Sequence, residues 1–134
     1  MTAKSNYLEE EILDHILGKG ARDFTSPAAL YMAVSTADFT EDGSGGAEPS
    51  GANGYARQTI AFNASGADGA TENTAAVTFG PNTTSDWGTI SHFAIFDALT
   101  VGNMLYYGGL TVSKAVTVDD SLEFAIGDVD IAET

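Results

Sequence analysis

The feature that most constrains this chain is a change of apolar period near Pro27. Before it, Leu8, Ile12, Leu13, Ile16 and Leu17 recur at the three-to-four spacing that lines one face of a helix. After it, apolar and polar residues alternate in short runs broken by Gly, Pro, Asn and Asp, which is the pattern of strands joined by turns. Such a chain folds as one short helix followed by an antiparallel β structure. With 15 Gly and no long Ala, Leu, Glu or Lys tract, helix cannot dominate.

The helix is predicted from about Tyr7 to Leu17, with Asn6 as N-cap, Glu9 completing a capping box, and Gly18 as a left-handed stop. Glu9, Glu10 and Glu11 lie where the helix dipole favours negative charge. A helix this short is unstable alone and must dock, on its own sheet or on another subunit. In 29–36, Leu30, Met32 and Val34 alternate with Tyr31, Ala33 and Ser35, which predicts a half-buried strand. The stretch 37–54 holds Gly43, Gly45, Gly46, Gly51, Gly54 and Pro49 without periodicity, so it is expected to be a long loop and a contact surface.

Further strands are expected at 57–62, with Ile60 and Phe62 inward, and at 75–79, closed by Gly80-Pro81-Asn82; between them 63–73 reads as a polar, Gly-containing connection. The segment 87–96 is the longest apolar strand, with Ile90, Ala94 and Phe96 facing one way and Phe93 and Ile95 the other, so it belongs at the centre of a sheet. Next come 103–107, a bulge or bend at Gly108-Gly109, 110–113, a short strand marked by Val116 and Val118, and a final alternation of Leu122, Phe124 and Ile126 that Val129 and Ile131 continue. Seven or eight short strands in one 134-residue chain predict a single domain: a mainly β, single β-sandwich of immunoglobulin-like or jelly-roll type with a short N-terminal helix (6–18 helix, 27–131 sandwich).

Charge excludes several functions. Nineteen acidic residues against five basic ones give −14, and Lys4, Lys19, Arg22, Arg57 and Lys114 are too scattered to form a phosphate-binding patch. Direct nucleic-acid binding and attachment to an anionic membrane are therefore not expected. With no Cys, disulfides, zinc–thiolate sites and cysteine nucleophiles are ruled out. The first residues lack an apolar signal core, which implies synthesis in a cytoplasm.

Catalytic grammar is missing as well. His15 on the helix flank and His92 in the central strand read as structural, and no Gly-x-Ser-x-Gly elbow accompanies them. The acidic groups Glu41, Asp42 and Glu48, Asp119-Asp120, and Asp128, Asp130 and Glu133 lack the spacing of a calcium loop and read as solvated turns. The glycines of 43–54 do not join a strand to a helix as a phosphate loop must. No catalytic, cofactor or metal residue is therefore assigned. Trp87, Phe93 and Phe96 read as core, while Tyr106 or Tyr107 could present an aromatic patch to a subunit or a sugar.

Several stretches in one order are distinctive: Ser5-Asn6-Tyr7-Leu8-Glu9, Pro27-Ala28-Ala29-Leu30-Tyr31-Met32-Ala33-Val34, Gly54-Tyr55-Ala56-Arg57-Gln58, Asn73-Thr74-Ala75-Ala76-Val77-Thr78-Phe79, Trp87-Gly88-Thr89-Ile90-Ser91-His92-Phe93-Ala94-Ile95-Phe96-Asp97-Ala98, and Gly102-Asn103-Met104-Leu105-Tyr106-Tyr107-Gly108. Together they resemble a family of small tailed-phage and prophage proteins commonly called phage tail fibre proteins. The resemblance implies a non-enzymatic virion structural protein, tail-associated or capsid-decorating as a cement protein, with other virion proteins (tail components or the major capsid protein) as partners. A host-receptor or carbohydrate-binding module on the virion surface is the alternative. The chain lacks coiled-coil heptads and a shaft repeat, so a homo-oligomeric tip, adaptor or ornament is expected rather than a whole fibre. Candidate subunit contacts are Leu8, Ile12, Glu41, Asp42, Glu48, Tyr55, Arg57, Tyr106 and Tyr107. Arg57 itself reads as a surface strand charge that could alternatively pair with a carboxylate at a contact.

Overall fold

A computed structural model describes residues 2–20 and 24–133. Arg22, counted above among the cations, lies outside the described residues. The structure is mainly β and sandwich-like, with one short N-terminal helix and antiparallel pairing throughout. In chain order the elements are β1 (Thr2–Lys4), α1 (Asn6–Leu17), β2 (Leu30–Ser35), a 3-10 turn (Gly51–Asn53), β3 (Gln58–Ile60), β4 (Ala70–Glu72), β5 (Val77–Phe79), β6 (Gly88–Phe96), β7 (Met104–Val116), β8 (Leu122–Phe124) and β9 (Asp130–Ala132).

Five strands form the main sheet in the order β1-β7-β6-β2-β3. Facing it are two ribbons, β4 with β9 and β5 with β8. The pairings nest: β6 with β7, outside them β5 with β8, and outside those β4 with β9, as in one long two-stranded ribbon folded over on itself. Folding the ribbon buries Met32, Val34, Ile90, Phe93 and Ile95 of the main sheet against Val77, Phe79, Leu122, Phe124 and Ile131 of the ribbons. Each of these side chains contributes roughly 1.5–3 kcal/mol by leaving water, so this layer is where stability concentrates.

β6 lies third of five, as its continuous apolar character requires. Its facing departs from simple alternation. Ile90 joins Phe93 and Ile95 in the main core, whereas Ala94 and Phe96 pack on the opposite side with Phe39 and Met104. The change of facing coincides with a register shift between Ile90 and His92, where the extra residues lie in β7 and the regular alternation along β6 is lost. Across the same shift, β7 runs from Gly109 to Lys114 while β6 advances only from His92 to Ile90. The irregularity expected at the Gly108-Gly109 pair thus begins just past it. β7 runs unbroken from Met104 to Val116 and absorbs the separate strand expected at Val116, while Val118 is exposed.

Other expectations are corrected. β2 is covered on both faces rather than half-buried: Met32, Ala33, Val34 and Ser35 are all fully buried, because the loop after it folds back over the outer face and seats Phe39 against Phe96. Ser35 Oγ holds that loop at both ends, accepting from the Ala37 and Ala47 amides at 3.0 and 2.7 Å. The segment 63–73 contains β4, and Phe62 lies beyond β3, joined to Asn73 by an isolated bridge. The alternation after Phe124 breaks: Ile126 is exposed, Asp128 accepts from the Ala125 amide at 2.8 Å to close a turn, and the chain re-enters as β9.

Candidate interaction surfaces

The helix begins one residue earlier than the sequence suggests. Ser5, in extended conformation, is the N-cap: its Oγ accepts from the Leu8 amide at 3.2 Å and donates to the Met104 carbonyl. Asn6 is instead the first helical residue, and its amide donates to the Glu41 carbonyl at 3.0 Å. Gly18 closes the helix in the left-handed region, as expected. Ser5 is buried, so the cap fixes α1 against β7, but the helix docks fully only at its N-terminal end. Leu8 is buried and Ile12 half-buried, while Leu13, Ile16 and Leu17 keep 57%, 71% and 66% of their surface exposed. Of the apolar face read from the sequence, only its N-terminal end is covered by the chain's own sheet.

A second surface centres on Arg57, which the sequence suggested as an exposed strand charge. The side chain retains only 9% exposure. Its Nε and Nη2 donate to the two carboxylate oxygens of Glu48 at 3.0 and 2.8 Å, and Nη1 donates to the carbonyls of Ala98 and Val101 at 3.0 and 2.8 Å. The guanidinium carbon stands 3.6 Å from the centre of the Phe96 ring, in cation–π contact. One cation therefore ties the long loop to the tip of the β6–β7 hairpin. Tyr55 completes the cluster: its hydroxyl donates to Glu48 at 2.6 Å and accepts from the Val34 amide at 3.2 Å. Burial first, then the Glu48 hydrogen bond, pushes the Tyr55 phenol far above its usual value. Beside the cluster, Pro49, Leu99 and Val101 wall an open apolar groove.

The remaining candidates fall in two other places. Asp42 organises a tight acidic turn, accepting from the Thr40 hydroxyl at 2.5 Å and from the Ser44 hydroxyl and amide at 2.7 and 3.0 Å; the Thr40 bond, then those of Ser44, hold its carboxyl at about 2. Glu41 lies beside it and faces Tyr107, whose phenol is raised by desolvation and then by the Glu41, Asp38 and Glu9 carboxylates. Tyr106 points to the other face of the sheet and donates to Glu133, which also pairs with Lys4 at 2.7 Å. The structure thus joins Glu48, Tyr55 and Arg57, sets Glu41, Asp42 and Tyr107 near the start of α1, and separates Tyr106 from both.

Two buried asparagines escaped the sequence reading. Asn73 Nδ2 donates to the carbonyls of Ala75 and Ala125 at 2.8 and 3.0 Å while its Oδ1 accepts from the Val129 amide at 2.9 Å. Asn82 follows Pro81 and exchanges backbone hydrogen bonds with Asp119 and Asp120. Both stand among polar and turn residues, Thr71-Glu72-Asn73-Thr74 and Gly80-Pro81-Asn82-Thr83, so nothing local in the sequence marks them as buried; the structure shows it through the partners a buried amide must find.

The ionisable groups serve structure. His92 Nδ1 lies 2.7 Å from Ser91 Oγ and its Nε2 lies 3.8 Å from Asp38. Asp120 accepts from Thr117, and Asp128 closes its turn. Among the described residues no three His, Cys, Asp or Glu side chains gather as a metal-holding group. The arrangement presents an acidic body with an exposed apolar helix flank and an open apolar groove.

No curated protein matches the chain. A family model described as podophage GP4 fiber I protein gp80 matches residues 3–132, from within β1 to the end of β9, and so takes in both surfaces. The chain belongs to this family of phage fibre proteins, which makes it a virion-associated structural protein.

Proposed function

We propose that the chain is a non-enzymatic, tail-side subunit of the phage fibre apparatus that works as a homo-oligomer attached to other tail components. The observation that carries this reading is the family match over 3–132, which spans a body with a solvent-turned apolar helix flank. A small rigid module of this kind contributes by occupying a defined place in a symmetric assembly, and closed homo-oligomers are the usual way to fill such places. Its negative charge opposes non-specific clumping while many copies accumulate before assembly.

Immunogold labelling of purified particles tests the placement. Label on the tail is the expected result. Label confined to the head would replace this reading with capsid decoration, and absence of the protein from washed particles would overturn a virion role.

A further inference from the structure

We propose that the outer flank of α1, formed by Ile12, Leu13, Ile16 and Leu17, is a helix-in-groove anchor for a different virion protein whose apolar groove is rimmed by Lys or Arg. This rests on the virion reading above and names the chemistry of the partner.

The four residues stand at i, i+1, i+4 and i+5, so at 3.6 residues per turn they share one arc of about 140°. That is the width a core-facing helix shows, and wider than scattered surface leucines require. The stripe is also contiguous, since residues three and four apart touch on a helix. Ile12 and Leu13 extend it into a shallow groove shared with Glu9 and with Lys4 of the edge strand β1. Anchors at these spacings are how an amphipathic helix fills another protein's groove.

Charge decides between a second copy and a different protein. Glu9, Glu10, Glu11 and Asp14 lie on the same helix, and Glu9 falls inside the apolar arc at its N-terminal end. The nearby Lys4 ammonium is already paired with Glu133 at 2.7 Å. At this flank a second copy would set the same four helix carboxylates against one another. A basic-rimmed groove turns that repulsion into attraction and speeds encounter.

The test uses purified protein added to phage particles grown without it. Wild-type protein is expected to bind, and to bind less as NaCl is raised from 50 to 500 mM. Ile16→Gln with Leu17→Gln should lower occupancy at limiting protein at least about tenfold, the loss expected when two apolar anchors stay wet. The melting temperature should hold, because both side chains are exposed in the free protein. Glu10→Lys should also weaken binding. A photo-crosslinking residue at position 17 should join a different virion protein; crosslinking only to a second copy overturns the proposal. Full occupancy by the double variant overturns it too, while leaving the virion reading intact. Failure of the wild-type protein to bind, together with its absence from native particles, removes both.

Discussion

Replacing Arg57 with alanine should be among the most damaging single changes available in this protein. The substitution leaves the Glu48 carboxylate with Tyr55 as its remaining donor, strips the Ala98 and Val101 carbonyls of their partner, and removes the cation from Phe96. Breaking a buried ion pair from one side costs about 3–5 kcal/mol. Glu48 keeps 26% of its side-chain surface, so water can compensate part of the loss, and the lower end of that range applies. Loss of the ring contact adds about 1 kcal/mol, for a total of about 3–4 kcal/mol. For a chain of this size that corresponds to a fall of roughly 10–15 °C in melting temperature.

Urea unfolding followed by fluorescence is the assay. Trp87 is the single tryptophan; it is buried, its indole N–H donates to the Asn53 carbonyl at 3.1 Å, and it meets Tyr55 edge-on at 5.6 Å. Its emission therefore reports on the same cluster. Arg57→Lys should recover less than half of the loss, because an ammonium cannot reproduce the two-pronged contact with Glu48. Combined with Glu48→Gln, Arg57→Ala should cost less than the sum of the two single changes, by about 1–3 kcal/mol. A loss below about 1 kcal/mol for Arg57→Ala, or strict additivity in the cycle, would refute the argument that this pair clamps the loop to the hairpin.

Further expectations follow from the same geometry. Ser5→Ala should destabilise the protein by about 1 kcal/mol or more and reduce helical circular dichroism, whereas Asn6→Ala should do neither; equal effects would show that Ser5 is not the cap. Because hydrogen bonds depress the Asp42 carboxyl from about 3.8 to about 2, the stabilisation they give the turn is present above pH 4 and lost as pH falls through 2. Carbon-detected titration of Asp42, with faster exchange of the Ser44 amide over that window, checks it; a midpoint near 4 would contradict it. Tyr55 and Tyr106 are raised by burial and by hydrogen bonds to carboxylates, so their contribution is intact below pH 10 and lost as pH climbs beyond. Ultraviolet titration should show these two ionising only with unfolding, and early ionisation of all five tyrosines would count against it.

What the sequence alone determined is what local geometry encodes. A spacing of three to four placed Leu8 to Leu17 on one helix, alternation located most of the strands, and the two-sided apolar run at 87–96 put β6 at the centre of its sheet. These follow from where successive side chains point, which needs no knowledge of distant neighbours. The order of motifs was also enough to suggest the phage fibre family. Tertiary structure decided the rest. A register shift opposite Ser91, with its extra residues in β7, accompanies the reversed facing of Ile90, and no local pattern announces a bulge set by pairing with β7. The loop 37–54 looked aperiodic because its order comes from single residues: Phe39 and Ser35 seat its first part, and Glu48 meets an arginine whose other partners lie more than forty residues further on. The helix shows the division most plainly. Its apolar face was legible from spacing, but whether the chain's own sheet would cover that face depended on where Ser5 anchored it, and only the folded structure leaves Leu13, Ile16 and Leu17 facing outward.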